Sequence, residues 1–173
     1  MDTMEQELIS RIREAFGHVT LGRGVSLNMT EYYDSGGCVP EFAEKAKSDE
    51  RHDWTKIPDS TLERFTVTFS FTDIDGFRFY LPAYMIYTIK NHRTSDSVIS
   101  DFTIYAIDTE HPLFQDVGLL NVFSEAQLQC IISFLEYCLK NDGTCDGDVA
   151  RVNLHKIRNA QNNKRRHEGR REN

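Results

Sequence analysis

From Phe77 to Ile89 the chain carries a single charge, Arg78, and otherwise presents apolar or aromatic side chains in nearly every direction, with five aromatics in its first eleven positions. A segment without a polar face has to be covered on most of its circumference, so the rest of the chain must fold around it. A bilayer is no alternative, because the run is too short for ~30 Å of hydrocarbon and holds Arg78 and Pro82. The 173 residues can supply that cover as one domain, burying roughly 70% of the unfolded surface. Thr72, followed by Asp73 and Asp75, sets up a helix start in which acidic groups face unpaired amides. Pro82 has no amide hydrogen, so the sequence predicts a short first turn, a break near Leu81 and a second helix to about Asn91.

Segments of helical periodicity supply the cover. Met4, Leu8, Ile12 and Ala15/Phe16 form one stripe over Thr3–Phe16, with Thr3 and Gln6 as a capping box and Gly17 at the end. Ser124 to Lys140 is the clearest helix. Ser124 and Gln127 form a capping box, Phe123 and Leu128 a hydrophobic staple, and Leu128, Ile131, Ile132, Leu135 and Leu139 the stripe. Val98 to Ile107 suits a helix by its length, and Val39 to Lys47 a short one with Pro40 in its first turn. Val149, Val152, Ile157 and Ala160 make a thinner stripe on a last helix from near Asp148. Residues 17–37, with five glycines, read as a loop, and Trp54 and Ile57 as anchors that pin a second loop. Phe65, Val67, Phe69 and Phe71 alternate with polar residues, the pattern of a strand or of an extended connection, yet no second strand of equal quality is near.

The expected architecture is therefore mainly α. It is a single compact helical domain of about six helices over residues 1–145, with the option of one short extended segment at 65–71. A C-terminal helix follows at 146–161, then a basic tail at 162–173. The tail composition cannot offset its ordering entropy alone and is expected to be disordered.

Charge divides the chain. Residues 151–173 hold eight basic and two acidic residues, so the remaining 150 carry −13 of the overall −7. An acidic body repels nucleic acid and anionic membrane, and only Lys164, Arg165, Arg166, Arg170 and Arg171 invite an anionic contact. The N-terminal residues have neither a basic nor an apolar region of a secretory signal. A cytoplasmic setting is expected, with Cys38, Cys130, Cys138 and Cys145 reduced.

Familiar chemistries find little support. Gly22-Arg23-Gly24 lacks the third glycine and the flanking elements of a dinucleotide site, and no Gly-Lys-Ser/Thr exists. There is no Gly-x-Ser-x-Gly elbow. Cys130 and Cys138, eight apart on one helix, read as core thiols, and Cys145 among Asp142, Asp146 and Asp148 should have a raised pKa. The six histidines form no pair at helical spacing and Cys-x-x-Cys is absent, so no metal and no cofactor is expected. Asp73-Ile74-Asp75-Gly76 begins like a calcium loop but has none of its later ligands, and capping explains it better. Asp108, Glu110 and His111 would need distant partners to hold an ion. Trp54, Arg78, Tyr80 and Tyr84 are candidates for a partner surface, the alternative being that the aromatic block is the central core.

Phe69-Ser70-Phe71-Thr72 followed by Gly76-Phe77-Arg78-Phe79-Tyr80-Leu81-Pro82-Ala83-Tyr84-Met85 resembles the FL(S/T)…FRYYLPAYL signature of an uncharacterised bacterial family, the DUF6714 type. Ile12–Phe16, Trp54–Pro58, Phe123–Gln127 and Phe134–Tyr137 agree with its other landmarks, and the likeness spans roughly residues 5–140. The resemblance implies a fold and a bacterial cytoplasmic setting, and it transfers no catalytic residue. Three readings of function follow. The first is a non-enzymatic binding, adaptor or immunity-like protein whose acidic body meets another protein. The second is a hydrolase-like enzyme with an Asp/Glu/His site assembled from distant positions. The third and weakest is nucleic-acid contact through the tail.

Overall fold

In the computed structural model, which describes residues 1–169, the apolar segment lies inside one continuous helix. The chain runs α1 (Thr3–Phe16), α2 (Leu27–Asp34), α3 (Pro40–Lys45), α4 (Asp59–Arg64), α5 (Thr68–Phe71), α6 (Ile74–Asn91), α7 (Ile99–Ala106), α8 (Leu119–Val122), α9 (Glu125–Lys140) and α10 (Gly147–Gly169). Single 3-10 turns lie at Ala46–Ser48, Trp54–Lys56 and Pro112–Phe114. No strand occurs among the described residues, and the protein is a mainly α single domain.

From Gly76 to Ile89 every residue of α6 except Arg78 is buried. The break expected near Leu81 does not occur, and magnitudes explain why. Proline inside a helix costs about 3 kcal/mol, whereas burying one large apolar side chain contributes about 1.5–3 kcal/mol. The many large side chains buried beside Pro82 outweigh its missing hydrogen bond. Asp73 caps the helix by accepting from the Gly76 amide at 2.8 Å and also accepts from the Val25 amide at 3.0 Å, which clasps the glycine-rich loop to α6.

Helices α1, α4 and α7 and the Trp54 turn pack around α6, while α9 packs against α1 and α10. The capping box of α9 is as the sequence indicates, Ser124 with Gln127. That of α1 lies one residue earlier than expected, with Asp2 and Glu5 in place of Thr3 and Gln6.

Two segments depart from the sequence reading. Within the expected loop 17–37 lies α2, whose buried residues are Leu27, Asn28 and Thr30. Two of the three are polar, so no apolar stripe advertises the helix. At 65–71 a turn and the short α5 replace the extended segment. The residues that go inside are Phe65, Thr68 and Phe69, a helical spacing hidden because Thr68 is polar. Its hydroxyl is satisfied by the Phe65 carbonyl at 2.9 Å. With α4 and α8, which the sequence reading also did not name, these short helices raise the count from about six to ten among the described residues.

The last helix extends beyond residue 161 to Gly169, so 162–169 are helical where disorder was expected. Residues 162–168 contain neither glycine nor proline, and Lys and Arg favour helix. Arg170 and Arg171 lie outside the described residues.

Candidate functional site

Helix α7 turns one face inward and leaves the other uncovered. Ile99, Ser100, Thr103, Ile104 and Ala106 are buried, and Asn153 of α10 ties α7 down by donating to the Ile104 carbonyl at 2.9 Å. Val98, Phe102 and Tyr105, at positions i, i+4 and i+7 of one helical stripe, are 49%, 41% and 42% exposed. The Phe102 and Tyr105 ring centroids are 6.2 Å apart. Tyr105 also donates to Asp146 at 2.8 Å, which holds its ring against the surface, and Asp146 in turn pushes the phenol up to about 12.

Two depressions flank this stripe. Toward α5 lies a hollow of about 300 Å³, partly apolar, walled by Val67, Phe69, Phe102, Tyr105 and His111. Toward the α9–α10 turn lies a polar cleft of about 630 Å³. Asp96, Asp101, Asp142 and Asp146 line it, with Arg93 the one lysine or arginine on its wall. Asp101 accepts from the Asp146 amide at 3.1 Å, and Asp146 caps α10 by accepting from the Val149 amide at 3.0 Å. Arg93 is already committed, to Glu5 at 2.7 Å and to Asn141 at 3.1 Å. None of the four aspartates forms an ion pair among the described residues.

From the cleft wall a chain of polar groups runs inward, from exposed Thr144 to buried Glu5. Thr144 Oγ1 is 2.7 Å from His92 Nδ1, and His92 Nε2 is 2.8 Å from the Tyr137 hydroxyl. Tyr137 donates to Glu5 at 2.8 Å, and the Asp2 amide donates to the other Glu5 oxygen at 2.8 Å. Burial pushes the Glu5 carboxyl up, but the bonds from Tyr137, Arg93 and Asp2 more than offset it and leave the group at about 2. His92 is lowered by burial and by the Arg93 charge, with Glu5 opposing. The network joins the starts of α1 and of the α9–α10 turn to the end of α6. Both His92 nitrogens are occupied, and Glu5, 1% exposed, does not reach the cleft. Glutamate and histidine from distant positions do meet here, but as a brace.

The residues named from sequence as a partner surface are largely internal. Trp54 is 3% exposed and donates to the Phe16 carbonyl at 3.0 Å. Tyr80 is fully buried and accepts from the Leu27 amide at 3.2 Å. Tyr84 is buried and donates to the Phe65 carbonyl at 2.7 Å. Arg78 is half-buried, its Nε without a hydrogen-bond partner, and it pairs with no carboxylate among the described residues. These four build the core and its rim. Of the tail set, Lys164, Arg165 and Arg166 are exposed on α10, and Lys164 donates to Asn121 at 3.0 Å. Lys164 and Arg165 line a hollow with Leu120, Phe123 and Glu125, so the base of the tail lies against the body. Asp108 and Glu110 hold Lys156, at 3.0 and 2.6 Å, and His111 accepts from the Leu113 amide at 3.2 Å.

Sequence reasoning passed over Phe102 and Tyr105, which it counted within an apolar helix. The available signal was the spacing of Val98, Phe102 and Tyr105 opposite a second stripe of Ile99, Thr103, Ile104 and Ala106. The outer face of a surface helix is ordinarily polar or charged, not aromatic.

The structure thus defines a mainly α domain built around a buried central helix, with an exposed aromatic helix face that an acidic cleft borders on one side. The chain belongs to a family described as "Family of unknown function (DUF6714)", whose profile matches residues 4–158. That match extends into α10 and leaves out most of the basic stretch. No curated protein and no solved structure matches the chain.

Proposed function

We propose that the protein is a binding module that receives a basic segment of another protein on the α7 face. The observation that carries this reading is the exposed stripe of Val98, Phe102 and Tyr105 set against Asp96 and Asp142, which form no ion pair among the described residues. Aromatic side chains supply large contact area at small entropic cost and dominate binding energies at interface centres. Aspartates around them favour a cationic partner and speed its encounter. A net −13 over residues 1–150 points the same way on a larger scale. An adaptor and an immunity-like neutraliser both work by such a surface. The proposal includes a cytoplasmic setting, which four unpaired cysteines suit.

The test compares the chain with a Phe102→Ser/Tyr105→Ser variant, each immobilised and exposed to native lysate. Proteins retained by the first and not the second are identified, purified and titrated directly. The expected result is a basic protein whose Kd weakens about tenfold or more in the variant and weakens further as salt rises from about 50 to about 300 mM. Equal retention by both chains, or a partner with no excess of basic residues, overturns the reading.

A further inference from the structure

Helix α10 carries charges of opposite sign at its two ends. Along its first half the basic residues are spent on carboxylates of the same chain: Arg151 on Asp148, Lys156 on Asp108 and Glu110, Arg158 on Glu136. Beyond Ala160 this changes. Arg165 and Arg166 are exposed and form no ion pair among the described residues, while Lys164 is held by Asn121 at 3.0 Å. The helix begins at the acidic cleft, where Asp146 caps it, and runs unbroken from Gly147 to Gly169. At about 1.5 Å per residue it sets Arg165 roughly 27 Å from its start. A side chain that far along the helix cannot return to the cleft where the helix begins. It can reach the cleft of a second molecule.

We propose that copies of the chain associate head to tail, the basic end of α10 of one molecule seated on the α7 face and acidic cleft of the next, a pairing that rests on the reading of that face as a receiver of basic segments. Residues 161–173 supply Lys164, Arg165, Arg166, Arg170 and Arg171 against Glu168 and Glu172. Arginine suits both halves of the surface. Its planar guanidinium stacks on aromatic rings while its edge donates to carboxylates. Phe102 and Tyr105 are exposed beside a cleft that Asp96 and Asp142 line without an ion pair among the described residues. The acidic body repels a second acidic body, so only the end of α10 can approach that cleft favourably.

Donor and receiver are different surfaces, so each contact leaves one helix end and one face free. Association of this kind closes into a ring or grows into an open chain, and symmetry does not stop it at two. Exposed charge pairs are individually weak and are screened by salt. The contact is therefore labile, and it gives way to a partner that covers the aromatic face more fully. Self-association and partner binding compete for one surface, so a molecule engaged by a partner leaves the assembly.

The test is sedimentation velocity of the full chain under reducing conditions, from about 5 to about 200 μM protein and at about 50 and about 300 mM salt. Two further chains each lack one half of the contact. Phe102→Ser/Tyr105→Ser keeps the basic end, and a chain stopped at Ala160 keeps the face. The full chain should grow in mass with concentration at low salt and return to the monomer at high salt. Each of the other two should stay monomeric alone, and mixed they should form a one-to-one complex that grows no further. Circular dichroism shows that both are folded, and the measurement on the full chain stands without them. A full chain that is monomeric throughout overturns the proposal. So does self-association of either altered chain at the level of the full one, or a mixture of the two that does not pair. If the full chain stays monomeric while differential capture still returns a basic protein, self-association fails and the binding-module reading stands. If the mixed chains pair while capture shows equal retention, the face serves copies of this chain alone and the reading of a foreign partner fails.

Discussion

Glu5 holds its charge almost out of reach of water, and its bonds govern the response of the protein to acid. Its folded pKa of about 2 lies below the ordinary 4.5, so the stability it contributes is present above 4.5 and is lost as pH falls toward 2. His92 adds an earlier loss. Its folded pKa is lowered below 6.5, so the unfolded chain takes up the proton first, and stability falls as pH drops through the range just under 6.5. Urea midpoints between pH 7 and 3 should decline in these two stages. Glu5→Gln should lower stability at pH 7 and flatten the second stage; an unchanged slope below 4.5 would show that the carboxylate is not the group responsible. Gly76 illustrates a constraint of shape. Alanine normally favours a helix over glycine by about 1 kcal/mol, but a Cβ at Gly76 would meet Thr72 Oγ1 and lie 2.7 Å from the Val25 carbonyl. Gly76→Ala should therefore destabilise by about 1–3 kcal/mol, the usual cost of overpacking, and a gain in stability would contradict the clasp between loop and helix.

Among elements, α9 was the most legible, because its capping box is as expected and its stripe is buried apart from half-buried Leu139. Leu135 is fully buried within it. Leu135→Ala should cost about 2–5 kcal/mol through lost burial and a residual cavity, measurable by chemical denaturation. A change under about 0.5 kcal/mol, typical of a surface site, would mean the stripe is not core. Two of the helices that sequence reasoning missed, α2 and α5, share one physical cause. In α2 and α5 the inward residues include Asn28, Thr30 and Thr68, whose side-chain donors find acceptors within the fold, Asp49 and the Leu27 and Phe65 carbonyls. A periodicity argument counts such residues as outward. The extension of α10 has a different cause, since its end is helix-compatible without an apolar stripe to announce it. Stopping the chain at Ala160 leaves Ala150, Leu154 and Ile157 buried, so stability should change by less than about 1 kcal/mol, as for other surface changes. On labelled RNA and DNA the full and shortened chains should behave alike at moderate salt, because the acidic body opposes approach. Tight binding by the full chain alone would revive the nucleic-acid reading.

For the molecule as a whole, the sequence conveyed the architecture through one fact, that a segment without a polar face must be wrapped. It conveyed the site poorly. The face on α7 depends on which of two stripes the fold covers, and that is decided by the packing of α5, α6 and α10 on α7, with the spacing of the two stripes as the one local hint. The acidic cleft likewise draws Asp96 from the α6–α7 connection, Asp101 from α7, and Asp142 and Asp146 from the α9–α10 turn about forty-five residues on, a proximity no spacing rule exposes. Charge gave the expectation of an acidic body, and Asp96 and Asp142, without an ion pair among the described residues, line the cleft beside the exposed aromatics. Amide hydrogen exchange of the full chain, alone and with the partner recovered by differential capture, tests the binding face most directly. Protection should concentrate in residues 95–106 and 142–149, with α3 and α4 unchanged. Protection confined to the α1–α9 hollow or to α10 beyond Ala160, with α7 unaffected, would contradict the assignment of this face.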